Sequence, residues 1–312
     1  MKDQSNEQKG SAPGERVAAA ALAMPIVVLA AYFAVQALIR TLLGAPPNLD
    51  EAEQFVISNR FAFGYGPHPP LYQWLQTAAF QVFGVNYFAI AVVKNALLFG
   101  TWAMLYLLGL KVTGDRRLAV IAGFGLLFSP NFAWESQMDY THTASNTFLV
   151  VLAAYWMFSL IGKRSPLLYV ALGITIGLGL LAKYNFVLFL LASVITFAAD
   201  RKARAVILSP WFVFAIVLAA IIASGHYFYI LANPAAGTAK LSELGLNRMG
   251  FVETRLEGIS RFAATVLGVH GIWLAIVLLG FVDRWSNPRP PVHGIDEEHQ
   301  HSSRLLLRLW LL

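Results

Sequence analysis

Long uncharged apolar runs, separated by short polar clusters, dominate the pattern of this chain. The runs fall near 17–39, 87–110, 118–133, 143–161, 167–182, 185–199, 206–231 and 262–282. A helix of about 18–20 apolar residues, rising about 1.5 Å per residue, spans about 30 Å of hydrocarbon. Several runs reach that length and are apolar on every side, as in a lipid-embedded helix, whereas a soluble surface helix keeps one polar face. The pattern therefore predicts an all-α, polytopic transmembrane bundle of about eight spans. The run at 118–133 is short, and the pair flanking Lys183 also reads as one broken helix. A last apolar stretch starts at Leu305 and stops at Leu312. It is too short to cross a bilayer and reads as the start of a further span in a truncated chain. The expected organisation is a polar cytoplasmic tail at 1–16, a membrane domain at 17–282, a Pro- and His-rich cytoplasmic loop at 283–304, and the partial span at 305–312.

Composition agrees. Hydrophobic residues make up 57% of the 312, charged residues 13%, and mean hydropathy is +0.60. Soluble domains carry about 25% charged residues. The absence of cysteine excludes disulfides, thiol chemistry and a Cys-ligated metal. The net charge of +6 does not point to nucleic acid, because the basic residues form short clusters and no continuous stripe. They follow the positive-inside rule instead. The short segments KVTGDRR, GKR and DRKAR are dense in charge, whereas the segment 131–142 has neither Lys nor Arg. A cytoplasmic N-terminus follows, with 44–86, 131–142 and 232–261 on the far side, the periplasm of a Gram-negative cell. The first run lacks a small-residue cleavage site and reads as a retained helix in the inner membrane.

The candidate chemistry lies on that far side. The first outer segment reads PPNLDEAEQFVISNRFAFGYGPHPPLYQWLQ. Asp50, Glu51 and Glu53 follow the first span; one reading makes Asp50 a helix N-cap with Glu53 in the capping-box position. The other places a carboxylate in a cavity. Gly64–Pro70 reads as a rigid turn delivering Leu71, Tyr72 and Trp74 into an aromatic helix start at the membrane interface. The second outer segment holds Glu135, Asp139 and His142, the last two sharing a face if helical. Lys183, in GLGLLAKYNFVLF, needs an anion or a route to the interface in so apolar a setting. Lys94 in AVVKNALLF is suited to pairing with a carbonyl or carboxylate and is left outside the site. Carboxylates and cations gathered in one outward pocket suit transfer from a lipid-linked phosphate sugar. A carboxylate takes the acceptor's proton, and cations stabilise the departing phosphate.

These residues resemble the GT-C-type glycosyltransferases that include protein O-mannosyltransferases and lipid A aminoarabinose transferases (glycosyltransferase families 39 and 83). The likeness is carried by Leu49-Asp50-Glu51-Ala52-Glu53, by His68-Pro69-Pro70-Leu71-Tyr72-Gln73-Trp74-Leu75, by Asp139, and by Gly-Leu-Leu-Ala-Lys183-Tyr184-Asn185. These boxes come in order across roughly 17–230. The wording WESQMDYTH and LAKYN is similar to bacterial enzymes that decorate lipopolysaccharide, rhizobial galacturonosyltransferases among them.

The resemblance implies a GT-C bundle with interfacial helices in the first periplasmic loop, a polyprenyl-phosphate sugar donor, a lipid or glycan acceptor, and an inverting displacement at a periplasmic site. By position it implies Asp50 as base and Glu51 as its catalytic neighbour. His68, Asp139, Lys183, Arg60 and Tyr65 make up the expected substrate-binding set, with Arg60 the first-loop cation suited to a uronic acid. Aminoarabinose transferases carry Glu-Lys where this chain has Pro67-His68, so no metal site is carried over and no cofactor is expected, with a divalent metal the alternative left open. The competing function is a transporter or flippase for lipid-linked or anionic substrates, which would place its charges near the bilayer midplane.

Overall fold

The structure, a computed structural model, describes residues 13–66, 68–129, 131–236, 255–261, 263–264 and 297–311. The described residues are helical throughout, with no strand among them; an isolated antiparallel bridge joins Tyr65 to His68. The helices are α1 (Pro13–Leu43), α2 (Leu49–Ile57), α3 (Leu71–Phe83), α4 (Tyr87–Thr113), α5 (Arg116–Phe124), the short α6 (Ser136–Met138), α7 (Thr141–Gly162), α8 (Pro166–Ala182), α9 (Phe186–Ala199), the short α10 (Arg204–Ile207) and α11 (Pro210–Ala232). A last helix runs from Glu297 to Leu311.

Among the described residues, four helices are long and apolar enough to cross a membrane: Ala23–Leu43, Tyr87–Thr113, Thr141–Gly162 and Pro210–Ala232. The protein is a multi-pass membrane protein. The run expected at 118–133 is instead a pair of helical segments, Arg116–Phe128 and Phe132–Met138, bent by 81°. The apolar runs around Lys183 are two shorter helices, α8 and α9. The expected span at 262–282 lies outside the described residues, as does the tail before Pro13. The boundary expected at Leu305 falls within the continuous helix Glu297–Leu311, whose buried residues include Ser302 and Leu305.

Local chemistry sets the ends. Asn86 caps α4, accepting from Ala89 N at 2.9 Å, and Gly114 ends it in the left-handed region at φ 66°. Asp115 then starts α5 by accepting from Arg117 N at 2.6 Å. Pro166 and Pro210 open α8 and α11, where the missing N–H is no loss.

The long helices pack in chain order, α1 on α4, α4 on α7, α7 on α8 and α8 on α11. Leu29 and Phe33 of α1 bury against Trp102 of α4, the Phe33 ring edge-on at 5.1 Å. Between α8 and α11 the approach is closest at Gly173, where a Cβ would come 2.7 Å from Ala215 O. Small residues of this kind let backbones meet where lipid supplies no hydrophobic driving force. The packing brings the end of α1, the start of α4, the start of α7 and the end of α8 to one end of the bundle, and α2 and α3 meet them there.

Candidate active site at the start of α7

The site forms around the first turn of α7. Its backbone enters through Tyr140, the one non-glycine with positive φ (65°) among the described residues. That conformation costs an ordinary residue roughly 1–3 kcal/mol and persists only when its surroundings enforce it. The kink separates Asp139 from His142: α6 ends at Met138 and α7 starts at Thr141, so the two do not share one helix face.

Asp50 lies in the first turn of α2, which begins at Leu49 with Asn48 in the cap position. Asp50 therefore does not cap its own helix. Its half-buried carboxylate reaches across the fold, where Oδ2 accepts from Thr141 N at 3.3 Å and from Thr141 Oγ1 at 3.2 Å. An anion at a helix N-terminus meets unpaired amides and the positive end of the helix dipole.

Glu51 is only 1% exposed and is clasped from two sides. Arg40 donates to it with Nη2 at 2.6 Å from Oε2 and Nε at 3.3 Å from Oε1. Lys94 of α4, equally buried, lies 3.3 Å from Oε1 and also donates to the carbonyls of Gln137 at 3.1 Å and Met138 at 3.0 Å. Burial pushes the Glu51 carboxyl up, but the hydrogen bond from Arg40 and the charges of Lys94 and Arg40 outweigh it and hold the group below its ordinary value. Asp139 adds a third negative charge that acts on Lys94. Lys94, set aside on sequence, is thus the link between Glu51 of α2 and the segment that ends at Met138.

His68 lies against the same turn, its ring stacked on that of His142 at 4.5 Å between centroids. The bridge between Tyr65 and His68, with Gly66 at φ 75°, holds it there, in keeping with the rigid turn expected over this segment. His142 is buried, with Nε2 2.9 Å from Gln73 Nε2. Lys183, half-buried in the break between α8 and α9, donates to Thr143 Oγ1 at 2.9 Å.

Asp50, Glu51, His68, Asp139 and Lys183 are thereby gathered about the start of α7 and its partners. Arg60 and Tyr65 stand apart. The Tyr65 hydroxyl accepts from Ala62 N at 2.8 Å and donates to Arg60 O, clipping the loop after α2. Both line a separate polar cavity of about 700 Å³ with Asn59 and Tyr229. Arg40, Gln73, Thr141 and Thr143 were not expected at the site. Arg40 ends an apolar helix and carried the only sequence signal, an unpaired charge at a membrane boundary.

A membrane bundle with a carboxylate and cation cluster at one end is the class of protein so defined. Residues 67–229 match the family described as dolichyl-phosphate-mannose-protein mannosyltransferase. The chain belongs to that family, which is of GT-C type. It is 34% identical over 256 residues to the lipopolysaccharide core galacturonosyltransferase RgtB of Rhizobium johnstonii, covering 81% of this chain and 52% of that protein. To RgtA of the same organism, of the same description, it is 34% identical over 207 residues, covering 66% of this chain and 42% of the relative. The chain spans about half the length of these relatives. No solved structure matches it.

Proposed function

We propose that the chain is the membrane catalytic domain of a glycosyltransferase. It moves a sugar, with inversion, from a polyprenyl-phosphate donor to a periplasmic acceptor such as lipid A, lipopolysaccharide core or protein. The observation that carries this reading is the half-buried Asp50 carboxylate at the start of α7, beside side chains from the turn before α3 and from the α8–α9 break. In the step proposed, the acceptor hydroxyl loses its proton to Asp50 as its oxygen bonds the anomeric carbon. The bond from that carbon to the phosphate oxygen breaks, and its electron pair leaves with the polyprenyl phosphate. Lys183 supplies positive charge for the phosphate, while Glu51, held by Arg40 and Lys94, fixes α2 so that Asp50 faces the acceptor. The two rhizobial relatives, named as core galacturonosyltransferases, support a hexuronic acid as the sugar and lipopolysaccharide core as the acceptor. The distribution of Lys and Arg supports a cytoplasmic N-terminus in the inner membrane, with the site on the periplasmic side.

The test is mass spectrometry of lipid A and core glycans from cells with the full-length gene, without it, and with Asp50→Asn. Loss of one hexose or hexuronic-acid mass in both the deletion and the variant is expected. An unchanged set of glycans in the deletion would sink the lipopolysaccharide acceptor.

A further inference from the structure

Three side chains from distant parts of the chain, Glu53 on α2, His68 in the turn before α3 and His142 in the first turn of α7, converge on one point. One ligand-type atom from each lies within 4.8 Å of the other two. Glu53 and His68 are half-buried and His142 is buried. We propose that these three residues form a binding site for one divalent transition-metal ion, zinc foremost.

The donor chemistry suits that ion. Two imidazoles and one carboxylate favour borderline metals such as zinc over magnesium or calcium, which take all-oxygen shells. Bonds of about 2.0–2.2 Å place the ligands of one ion roughly 3–4 Å apart, so modest side-chain rotation closes the set. Three protein ligands leave a coordination position for water or a substrate oxygen, unlike the closed set of four in structural zinc sites.

The groups around His142 suit a metal ligand. His142 Nε2 is engaged by the Gln73 amide at 2.9 Å, which assigns Nδ1 to the ion. Amide orientation is set by its surroundings. Turned over, Gln73 presents Oε1 to an Nε2–H, the carbonyl partner that orients a metal-bound histidine. That turn gives Gln73 Oε1, otherwise without a hydrogen-bond partner among the described residues, its donor; the fully buried Tyr72 hydroxyl still has none among them. The Tyr72 ring lies 5.7 Å from that of His142. A buried polar atom left in this way beside paired imidazoles is expected where a polar guest belongs. The sequence pointed away from metal on the strength of Pro67 alone; the three donors here are separated by 15 to 89 positions and meet only in the fold.

The ion would lie at the first turn of α7, the turn whose Thr141 bonds Asp50. A donor phosphate oxygen is the ligand for its open position. That role rests on the glycosyltransferase reading; occupancy by metal does not.

The experiment uses the full-length protein, purified in detergent without a histidine tag, stripped with chelator and reloaded with zinc. Metal is counted by mass spectrometry, and affinity is read by competition with a chromophoric chelator. About one equivalent is expected. Glu53→Gln and His142→Asn are each expected to weaken binding at least tenfold, and Gln73→Ala roughly 10–100-fold. Glu135→Gln, an exposed carboxylate of the same outer segment, is expected to keep the metal. Cobalt in place of zinc should give a visible ligand-field band that both ligand variants lose while their melting temperature holds. No metal above background in the reloaded protein, or equal retention by the ligand variants, overturns the site. Zinc bound, with glycans unchanged in cells lacking the gene, leaves the site standing and removes the transfer reading; glycans lost on deletion, with no zinc taken up by the protein, do the reverse.

Discussion

Lys94 Nζ lies 3.3 Å from Glu51 Oε1, with both side chains buried in the fold. Two charges in so dry a place are stable only as a set, with Arg40 on the other carboxylate oxygen and two backbone carbonyls on the ammonium. Removing one member of such a set costs about 3–5 kcal/mol, because the others stay buried without compensation. Lys94→Met is therefore expected to lower the melting temperature steeply and to reduce accumulation in the membrane. Glu51→Gln should do the same, leaving Arg40 and Lys94 to repel each other. A melting curve unchanged in both variants would show that the cluster carries no stability.

Asp50→Asn separates chemistry from fold. Asparagine keeps an oxygen that accepts from Thr141, so stability should stay within about 1 kcal/mol of the parent. Loss of a general base typically costs 10²–10⁴-fold, and transfer should fall by at least about a hundredfold. Retention of most activity would remove Asp50 as the base.

For Lys183→Ala the expected signature is a split. The apparent KM for the lipid-phosphate donor should rise about tenfold while acceptor KM stays near the parent value, since one cation is lost from the phosphate. Thr143→Val, which removes the hydroxyl that holds Lys183, should show the same split more weakly. An effect confined to the acceptor would refute the phosphate role.

At the other end of the bundle, Asp200 holds the helix Glu297–Leu311 through His301, with Nε2 at 2.8 Å, and faces Arg308 at 3.9 Å. Burial pushes its carboxyl up, but the Ala203 N–H, the His301 ring and the Lys202 N–H outweigh that and hold it below its ordinary value. A lowered folded pKa means the stabilisation is fully present above the unfolded value, about 3.9, and is lost as pH falls through the folded one. The protection factors of 297–311, intrinsic over observed exchange rate at each pH, should therefore hold from neutral pH down to about 5 and fall below about 4. Asp200→Asn should exchange faster already at neutral pH.

Gly173→Val tests the contact between α8 and α11. Its Cβ would meet backbone, Ala215 O at 2.7 Å and Ala215 Cα at 2.9 Å, which cannot move aside like a side chain. Overpacking of this kind costs about 1–3 kcal/mol. A lower melting temperature is expected, with transfer per folded molecule little changed.

The membrane class of this protein is a local property, and the sequence by itself determined it. An apolar run long enough to cross a bilayer must close its backbone hydrogen bonds internally, so it becomes a helix whatever it packs against. The long spans at 87–113, 141–162 and 210–232 were legible for that reason. The same holds for Asp50 and Lys183, charges at the ends of apolar runs. The break between Phe128 and Phe132 had a local signal, Pro130, which lacks the N–H that a continuous helix needs, but the angle of 81° was not legible in it. Only the tertiary structure decided which polar groups meet. Lys94 is one polar residue in an apolar helix until Glu51, 43 positions away, arrives at its ammonium. Arg60 and Tyr65 share a loop with His68, yet they line a different cavity with Tyr229 of α11. The pairing of His68 with His142 depends on the packing of α3 and α7 and on a left-handed Tyr140, terms summed over the whole bundle that no short stretch of sequence encodes.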